Sequence, residues 1–476
     1  MKSKLQIKTE KINLQEKDAS EPVSPTGQYF NSKSLSVCIL AVLESEVPVD
    51  DSCAIPQLRD VFLPINPRFS SIMINDKKGV KQWKKVQVNL QDHLIIPRFP
   101  EGVSVESYNE YFDEYLTKTS SDLLPQNRPL WEVHIFKYPT SKAAGHIIFK
   151  LHHALGDGYS LMGALLSCVK RADNPSLPLT FPTTRSSSAN KSSNSTRIIE
   201  WVPQTISAIF KGAYDFGWSI LKSTYNPDDK TPIRSGKSQG FQPTKISTIE
   251  LSLDHIKLIK ARVGTTINDI LAGIVFHGIR VYMQEIDPES SISQSTALVL
   301  LNTRNITRYI SVKEMKTAST KMWGNQFAFL HVAIPELIDD NSSNPLDFVY
   351  KTQQQITRLR NSPAVYLTAQ CLEIERKCKG PEAAAELIYN TMNKSSMGMT
   401  NMIGPIEKVA LVNHPVKGIY FMVCGTPKSL VITIMSYMQT VRIGVGVEKG
   451  LIDSQKLTSC IKNAFDLAYE AASKSQ

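Results

Sequence analysis

The stretch His146-Ile147-Ile148-Phe149-Lys150-Leu151-His152-His153-Ala154-Leu155-Gly156-Asp157-Gly158 decides how this chain is to be read. His146 to His152 reads as a strand. A short loop follows that carries two histidines, an aspartate and two glycines. Gly158 to Val169, rich in Leu and Ala, then reads as a helix. A strand running into a loop and then a helix offers a rigid mount for an exposed segment, which is where catalytic groups are best held. Adjacent residues of an extended segment point to opposite faces, so only one of the two histidines can look into a given cavity. His153 shares its parity with Leu151, Phe149 and Ile147, and His152 shares its parity with Lys150 and His146.

Such a loop suits proton transfer. An alcohol is a poor nucleophile, so its attack on a thioester needs a base that takes the proton as the new bond forms. Neutral imidazole does this near pH 7, and a positioned base contributes roughly 10²–10⁴-fold. No serine or cysteine nucleophile is required, because the thioester is already activated; the oxyanion needs donors nearby. His153 is the candidate base and His152 its support. Asp157 would cap the helix, or pair with a distant arginine and so hold the loop. Gly156 and Gly158 would permit the turn. The competing reading is a pair of ordinary histidines at a strand end. A bare His-x-x-x-Asp is common by chance, but the full His-His-x-x-x-Asp-Gly on strand, loop and helix weighs against that reading.

The bulk properties set wider bounds. At 476 residues, two domains are the natural expectation. With 42% hydrophobic and 21% charged residues the chain is globular rather than disordered. The net charge of +10 is spread along the chain, which disfavours nucleic acid and fits an anionic membrane surface or a polyphosphate-bearing co-substrate such as coenzyme A. Seven cysteines at irregular spacing, with no CxxC, indicate neither a zinc site nor a disulfide framework and suggest a reducing compartment. Met1 to Ser20 is polar and highly charged, lacks the apolar core of a secretory signal, and is expected to be flexible. No stretch reaches the ~18 uncharged apolar residues of a convincing transmembrane helix.

Residues 21–182 read as one α/β domain, with strands at Val37–Leu43 and Trp131–Phe136 and a helix over Tyr108–Leu116. Residues 183–240 read as a connecting region. Thr183 to Thr196 is Ser- and Thr-rich, as linkers are. Ile198 to Leu221 carries Ile199, Val202, Ile206, Ile209, Ala213, Phe216 and Ile220 at helical spacing. With Trp201, Phe210 and Trp218 it suits a membrane interface. Lys211 and Asp215 near its middle argue against a full span. Residues 241–476 read as a second α/β domain. It has a long helix over Thr266–Tyr282, strands at Leu298–Leu301, Gly418–Cys424, Leu430–Ser436 and Val441–Val447, and a closing helix over Leu457–Ala472.

On these residues the chain resembles the plant wax ester synthase/diacylglycerol acyltransferase family, part of the HxxxD acyltransferase superfamily. The resemblance covers nearly the whole chain. Arg128-Pro129-Leu130-Trp131-Glu132 is similar to the family's PLW block and Asn268-Asp269 to its ND block. Asn302-Thr303-Arg304, Trp323-Gly324-Asn325-Gln326 and Asn401-Met402-Ile403-Gly404-Pro405 resemble its C-terminal blocks. Asn401-Met402-Ile403 departs slightly from the more usual Asn-Val-x. The resemblance implies two chloramphenicol-acetyltransferase-like domains with mixed sheets and an active-site channel between them. It implies His153 as base and Asp157 in a mainly structural role. It implies acyl-CoA as co-substrate with no bound cofactor or metal, and a fatty alcohol or diacylglycerol as acceptor. If Ile198–Leu221 lies in a membrane interface, the expected residence is the cytosolic face of the endoplasmic reticulum membrane, where acyl-CoA and lipid acceptors meet, or the plasma membrane, peripheral or single-pass. Gly158, Asn268 and Trp131 are the expected substrate contacts. Two of them have a plainer reading: Trp131 as core, Asn268 as a helix cap with Asp269 favouring the first turn. Arg304 either pairs with Asp157 or is solvated.

Two motifs mislead. Gly236-Lys237-Ser238-Gln239-Gly240 matches a nucleophile elbow but lies in a polar loop between Pro232 and Pro243, with no strand before it or helix after it. Asp215-Phe216-Gly217-Trp218 is similar to the DFGWG block of the plant BAHD acyltransferases, though it comes too soon after His153. It keeps open a BAHD-type enzyme acting on soluble phenolic or amine acceptors. A condensation domain would need a carrier-protein partner, and a non-catalytic lipid-binding protein on this fold would not need His153.

Overall fold

The computed structural model describes residues 21–32, 35–77, 80–182, 227–236, 243–302, 304, 312, 314, 323–337, 344–362 and 374–474. The expectations for Met1–Ser20, Thr183–Thr196, Ile198–Leu221 and most of the 236–240 motif lie outside these residues.

Among the described residues the chain builds two large sheets and one small one. The first large sheet has seven strands, in the order Leu94–Ile95, Trp131–Phe136, Gly145–His152, Cys38–Ser45, His414–Cys424, Val409–Leu411 and Lys170–Arg171. The second has six, in the order Phe327–Ala333, Thr296–Asn302, Met397–Ile403, Leu430–Tyr437, Thr440–Glu448 and Thr244–Ser252. Both are mixed. Leu94–Ile95 runs parallel to Trp131–Phe136, and Met397–Ile403 runs parallel to both of its neighbours. The other pairings in these sheets are antiparallel.

The central strands of the first sheet are buried on both faces. Trp131–Phe136 alternates apolar with polar residues, which normally marks a face turned to water. Here Glu132 and His134 are buried as well. The helix Val105–Ser121 covers that face: Phe112 and Leu116 join Leu40, Val42, Ile148, Tyr420 and Met422 in one apolar cluster. The polar groups beneath it find partners in Tyr115, which hydrogen-bonds His134, and Arg128, which pairs with Glu132. The helix forms where Ser104 caps it, its hydroxyl accepting from the Ser107 amide. In the second sheet the helices Leu253–Val263, Ile267–Ile286, Leu346–Arg360 and Ser454–Lys474 pack into one core with the strands.

The strands His414–Cys424 and Val409–Leu411 belong to the first sheet although they follow most of the second in the chain. A division near residue 240 therefore does not separate the sheets. His414–Cys424 runs antiparallel to Cys38–Ser45, and the chain then crosses back to enter the second sheet at Leu430. Contacts at this crossing hold the sheets together. Tyr437 Oη donates to the Val416 carbonyl at 2.9 Å, and the Thr433 hydroxyl donates to the Phe421 carbonyl. Arg442 of the second sheet meets Glu44 of the first in a two-pronged ion pair at 2.9 and 3.1 Å. The Glu44 side chain is 1% exposed.

Breaking that pair strands a buried carboxylate, which costs about 3–5 kcal/mol. Arg442→Met is expected to lower unfolding stability by that amount in urea titration, and Glu44→Gln added to it is expected to restore part of the loss. A loss under about 1 kcal/mol would show that the pair does not join the sheets.

Candidate active site

The site grows from the end of the strand Gly145–His152. His153 is held at its backbone, its N–H donating to the Val37 carbonyl at 2.8 Å. Its ring lies between Phe30 and Phe327, with centroids 4.6 and 5.5 Å away. Burial lowers its proton affinity below the ordinary histidine range, while the nearby Asp157, its own backbone carbonyl and Asn325 work the other way. The imidazole is therefore neutral at pH 7, as a base must be.

His152 has a different office. Its Nδ1 accepts the Ala154 N–H at 3.1 Å, and its Nε2 lies 3.2 Å from the Ser36 hydroxyl. Both ring nitrogens are engaged and the side chain is wholly buried. Burial, aided by His153, Lys81 and Lys150, pushes its pKa down to about 3. It is a neutral brace for the turn.

Asp157 caps the helix Gly158–Cys168, its Oδ1 accepting from the Ser160 N–H at 3.1 Å. Arg304 donates through Nη1 to Oδ2 at 2.6 Å and through Nη2 to Oδ1 at 3.0 Å. The Gln326 N–H donates to Oδ2 at 2.9 Å. These bonds occupy the acceptor positions of the carboxylate, so it has no lone pair to offer a substrate. The pair is buried, with side chains 3% and 6% exposed. Arg304 also donates to the Gly324 carbonyl at 2.6 Å. Gly324, at φ 122°, takes a backbone shape that side-chain-bearing residues avoid. Around it the segment 323–326 closes on the loop. Trp323 Nε1 donates to the Leu155 carbonyl at 2.9 Å, and Asn325 Nδ2 donates to the His153 carbonyl at 3.0 Å. Arg68 reaches the same Leu155 carbonyl from the other side, at 3.3 Å.

Two chambers meet at His153. The larger, about 260 Å³, has Asp157, Gly158, Tyr159 and Met162 on one wall and Asn302, Thr400, Asn401 and Met402 on the other. The smaller, about 50 Å³, is almost wholly apolar, with Phe30, Val37, Leu298, Phe329, Met399 and Val431. His153, Leu300, Phe327, Thr400 and Val423 line both. A passage thus runs between the two sheets, with the imidazole at its middle.

Gly158 lies on the larger chamber's wall, where an added Cβ would sit 3.0 Å from Met402 Sδ. Asn268 stands one step back: it accepts a hydrogen bond from the chamber residue Asn401 at 2.6 Å. It is not the helix cap. Thr266 is, accepting from the Asp269 N–H at 3.2 Å while Asp269 accepts from the Thr266 hydroxyl at 2.6 Å. The expectation of a substrate contact at Trp131 is corrected. Trp131 is fully buried, stacked on His93 at 4.1 Å and bonded through Nε1 to the Phe69 carbonyl. Its strand has the parity of the chamber, but Phe62 and Phe69 fill that side first. Sequence reasoning gave no role to Arg68 or Asn325; only the block containing Asn325 hinted at one.

Residues 77–271 match the wax ester synthase/diacylglycerol acyltransferase catalytic domain, and residues 323–468 match the WS/DGAT C-terminal domain. The chain is similar to wax ester synthase/diacylglycerol acyltransferase 4 of Arabidopsis thaliana, 28% identical over 93% of this chain and 88% of that one. It is similar to the same plant's wax ester synthase/diacylglycerol acyltransferase 3, 26% identical over 96% and 95%. Among solved structures it is similar to the wax ester synthase/diacylglycerol acyltransferase from Marinobacter aquaeolei VT8, with a TM-score of 0.60 at 16% identity, covering 95% of this chain and 99% of that one. It is also similar to the first condensation domain of the calcium-dependent antibiotic synthetase, with a TM-score of 0.56 at 14% identity, covering 91% of each. These structural likenesses establish the fold, an α/β architecture of two chloramphenicol-acetyltransferase-like halves.

Asp157→Ala is expected to lose the cap and leave Arg304 buried without its counter-charge, so melting temperature and turnover should fall together. Asp157→Asn keeps a capping oxygen and should be the more stable of the two. Thermal unfolding alongside initial rates checks this. An Asp157→Ala protein as stable as wild type but inactive would mean a direct chemical role for the carboxylate.

Proposed function

The chain belongs to the wax ester synthase/diacylglycerol acyltransferase family, and we propose that it transfers a fatty acyl group from acyl-CoA to a long-chain alcohol, giving a wax ester, or to diacylglycerol, giving triacylglycerol. The family makes it an acyltransferase; the choice of acceptor and the roles of individual residues are our reading. The observation that carries it is the place of His153, a neutral imidazole where a larger chamber, mostly apolar but bearing Asn302, Thr400 and Asn401, meets a smaller apolar one.

In this reading the acceptor hydroxyl lies against His153. The imidazole takes its proton as the oxygen attacks the thioester carbonyl. Asn302, Thr400 and Asn401 on the chamber wall offer donors to the tetrahedral oxyanion. The intermediate collapses, the carbon–sulfur bond breaks, and the imidazolium returns its proton to the departing thiolate. Ester and coenzyme A leave, and the base is restored. Asp157 takes no proton, because its oxygens are occupied by Ser160, Arg304 and Gln326.

Purified protein with labelled palmitoyl-CoA and a panel of acceptors tests this. Esterification of hexadecanol or diacylglycerol is expected. Products only with soluble phenolic or amine acceptors would favour a BAHD-type enzyme, and no transfer at all a lipid-binding protein. His153→Ala is expected to lower turnover by roughly 10²–10⁴-fold with folding intact. Retention of more than about a tenth of wild-type turnover would remove His153 as base.

The acceptors are membrane lipids, so we place the enzyme at the cytosolic face of the endoplasmic reticulum. Among the described residues no helix is long and apolar enough to cross a membrane. The apolar stripe in the sequence of Ile198–Leu221, interrupted by Lys211 and Asp215, supports peripheral attachment. High salt or alkaline carbonate is expected to release the protein from membranes; resistance to both would mean a spanning segment.

A further inference from the structure

Among the described residues, two buried polar atoms at the site make no hydrogen bond of good geometry: Nδ1 of His153 and Oδ1 of Asn325. They belong to residues already in contact. Asn325 Nδ2 donates to the His153 backbone carbonyl at 3.0 Å, so the amide lies against the residue whose ring holds the other unpartnered atom. The His153 backbone carbonyl acts on that imidazole as a hydrogen-bonding neighbour, and so, to a lesser degree, does the Asn325 side chain. A ring N–H and an amide oxygen are complementary, and both carry the cost of burial while unpaired.

The tautomer of His153 matters for the reaction. Neutral imidazole has one N–H and one lone pair. If Nε2 carries the hydrogen, the outer nitrogen is a donor and cannot take a proton from the acceptor. In many sites a carboxylate fixes this choice. Here Asp157 is spent on Arg304, Ser160 and Gln326. The adjacent His152 shows how completely this loop specifies a ring, since the Ala154 N–H occupies its Nδ1 and so places its hydrogen on Nε2. His153 needs the opposite tautomer.

We propose that Asn325 is a positioning residue for the base: its Oδ1 accepts the Nδ1–H of His153, which leaves the lone pair on Nε2, while its Nδ2 holds the same residue's carbonyl. A neutral amide does this without burying a second negative charge beside Asp157. Because Asn325 comes from the segment 323–326, the base is oriented only when the second half of the chain is seated on the first. This inference rests on His153 being the base.

The charged and titratable groups around the ring are Asp157 with Arg304, His152 on its own strand, and Tyr159 and Lys428 on the two chamber walls. Phe30, Val37, Phe327 and Val423 complete its surroundings and carry no charge. Substitution at 325 leaves all of these in place.

The test is the pH dependence of kcat/KM for wild type, Asn325→Ala and Asn325→Asp, with palmitoyl-CoA and hexadecanol. The wild-type acid limb is expected below pH ~6.5, the ordinary histidine value. Asn325→Ala removes the acceptor, so the limb should move to lower pH by about half a unit or more. Its kcat should fall about tenfold or more with KM little changed. Asn325→Asp sets a negative acceptor beside Nδ1, so its limb should move to higher pH. Both variants lose the bond to the His153 carbonyl, so opposite shifts cannot come from that loss. Equal losses of activity with both limbs at the wild-type pH would overturn the proposal and leave Asn325 as a clamp on the carbonyl. If Asn325→Ala does not fold, the Asp variant decides alone: an upward limb supports the proposal and an unmoved limb overturns it. Wild-type activity in His153→Ala would instead remove the base assignment itself, a separate failure.

Discussion

The buried ion pair between Asp157 and Arg304 is the constraint from which the rest of the site follows. Two charges taken out of water repay their desolvation only when geometry is good and every remaining lone pair is used. Here both oxygens of Asp157 are bonded twice, to Arg304, the Ser160 N–H and the Gln326 N–H. That requirement fixes the start of the helix Gly158–Cys168 and seats the segment 323–326 on the histidine loop. It also leaves the carboxylate with every acceptor position occupied. The imidazole four residues earlier is then free to act without a nearby acid competing for its proton.

The same constraint joins the two halves. Arg304 follows the strand Thr296–Asn302 of the second sheet, whereas Asp157 follows Gly145–His152 of the first. Elsewhere on the interface, Arg442 and Glu44 make a comparable buried pair, and the strand His414–Cys424 lends itself to the first sheet before the chain returns to the second. Among the described residues the halves are therefore tied by these two ion pairs and by the strands Val409–Leu411 and His414–Cys424, and the passage between them is lined from both sides. A substrate cavity at such a seam can be shaped by residues from either half, as Gly158 and Met402 show across the larger chamber.

Much of this was legible in the sequence where the signal was local. The strand, loop and helix around His153 showed as a change of period with glycines and an N-capping aspartate between. The two histidines do face different surroundings, His153 the chambers and His152 the Ala154 N–H and Ser36, because the strand keeps its pleat to His152. Non-local features were illegible. His414–Cys424 has the same apolar pattern whichever sheet it joins. Phe327–Ala333 and Met397–Ile403 went unread, because a strand half-lined by a channel mixes small, polar and aromatic residues without clean alternation. Trp131 had the right parity for the cavity, yet Phe62, Phe69 and His93 enclose it, and nothing in its neighbours in sequence could say so. The partner of Asp157 was open for the same reason: Arg304 lies far along the chain, and only folding brings the two together.

The central claim is that Asp157 and Arg304 act as one unit that holds His153, and a double-mutant cycle tests it most directly. Asp157→Asn, Arg304→Gln and the double variant are compared for unfolding free energy and for kcat/KM. Residues in one buried network couple by about 0.5–3 kcal/mol. The account predicts coupling toward the upper end of that range in both quantities, with the double variant little worse than either single one. Additive losses in stability and in activity would contradict it, because they would mean that the two side chains contribute independently.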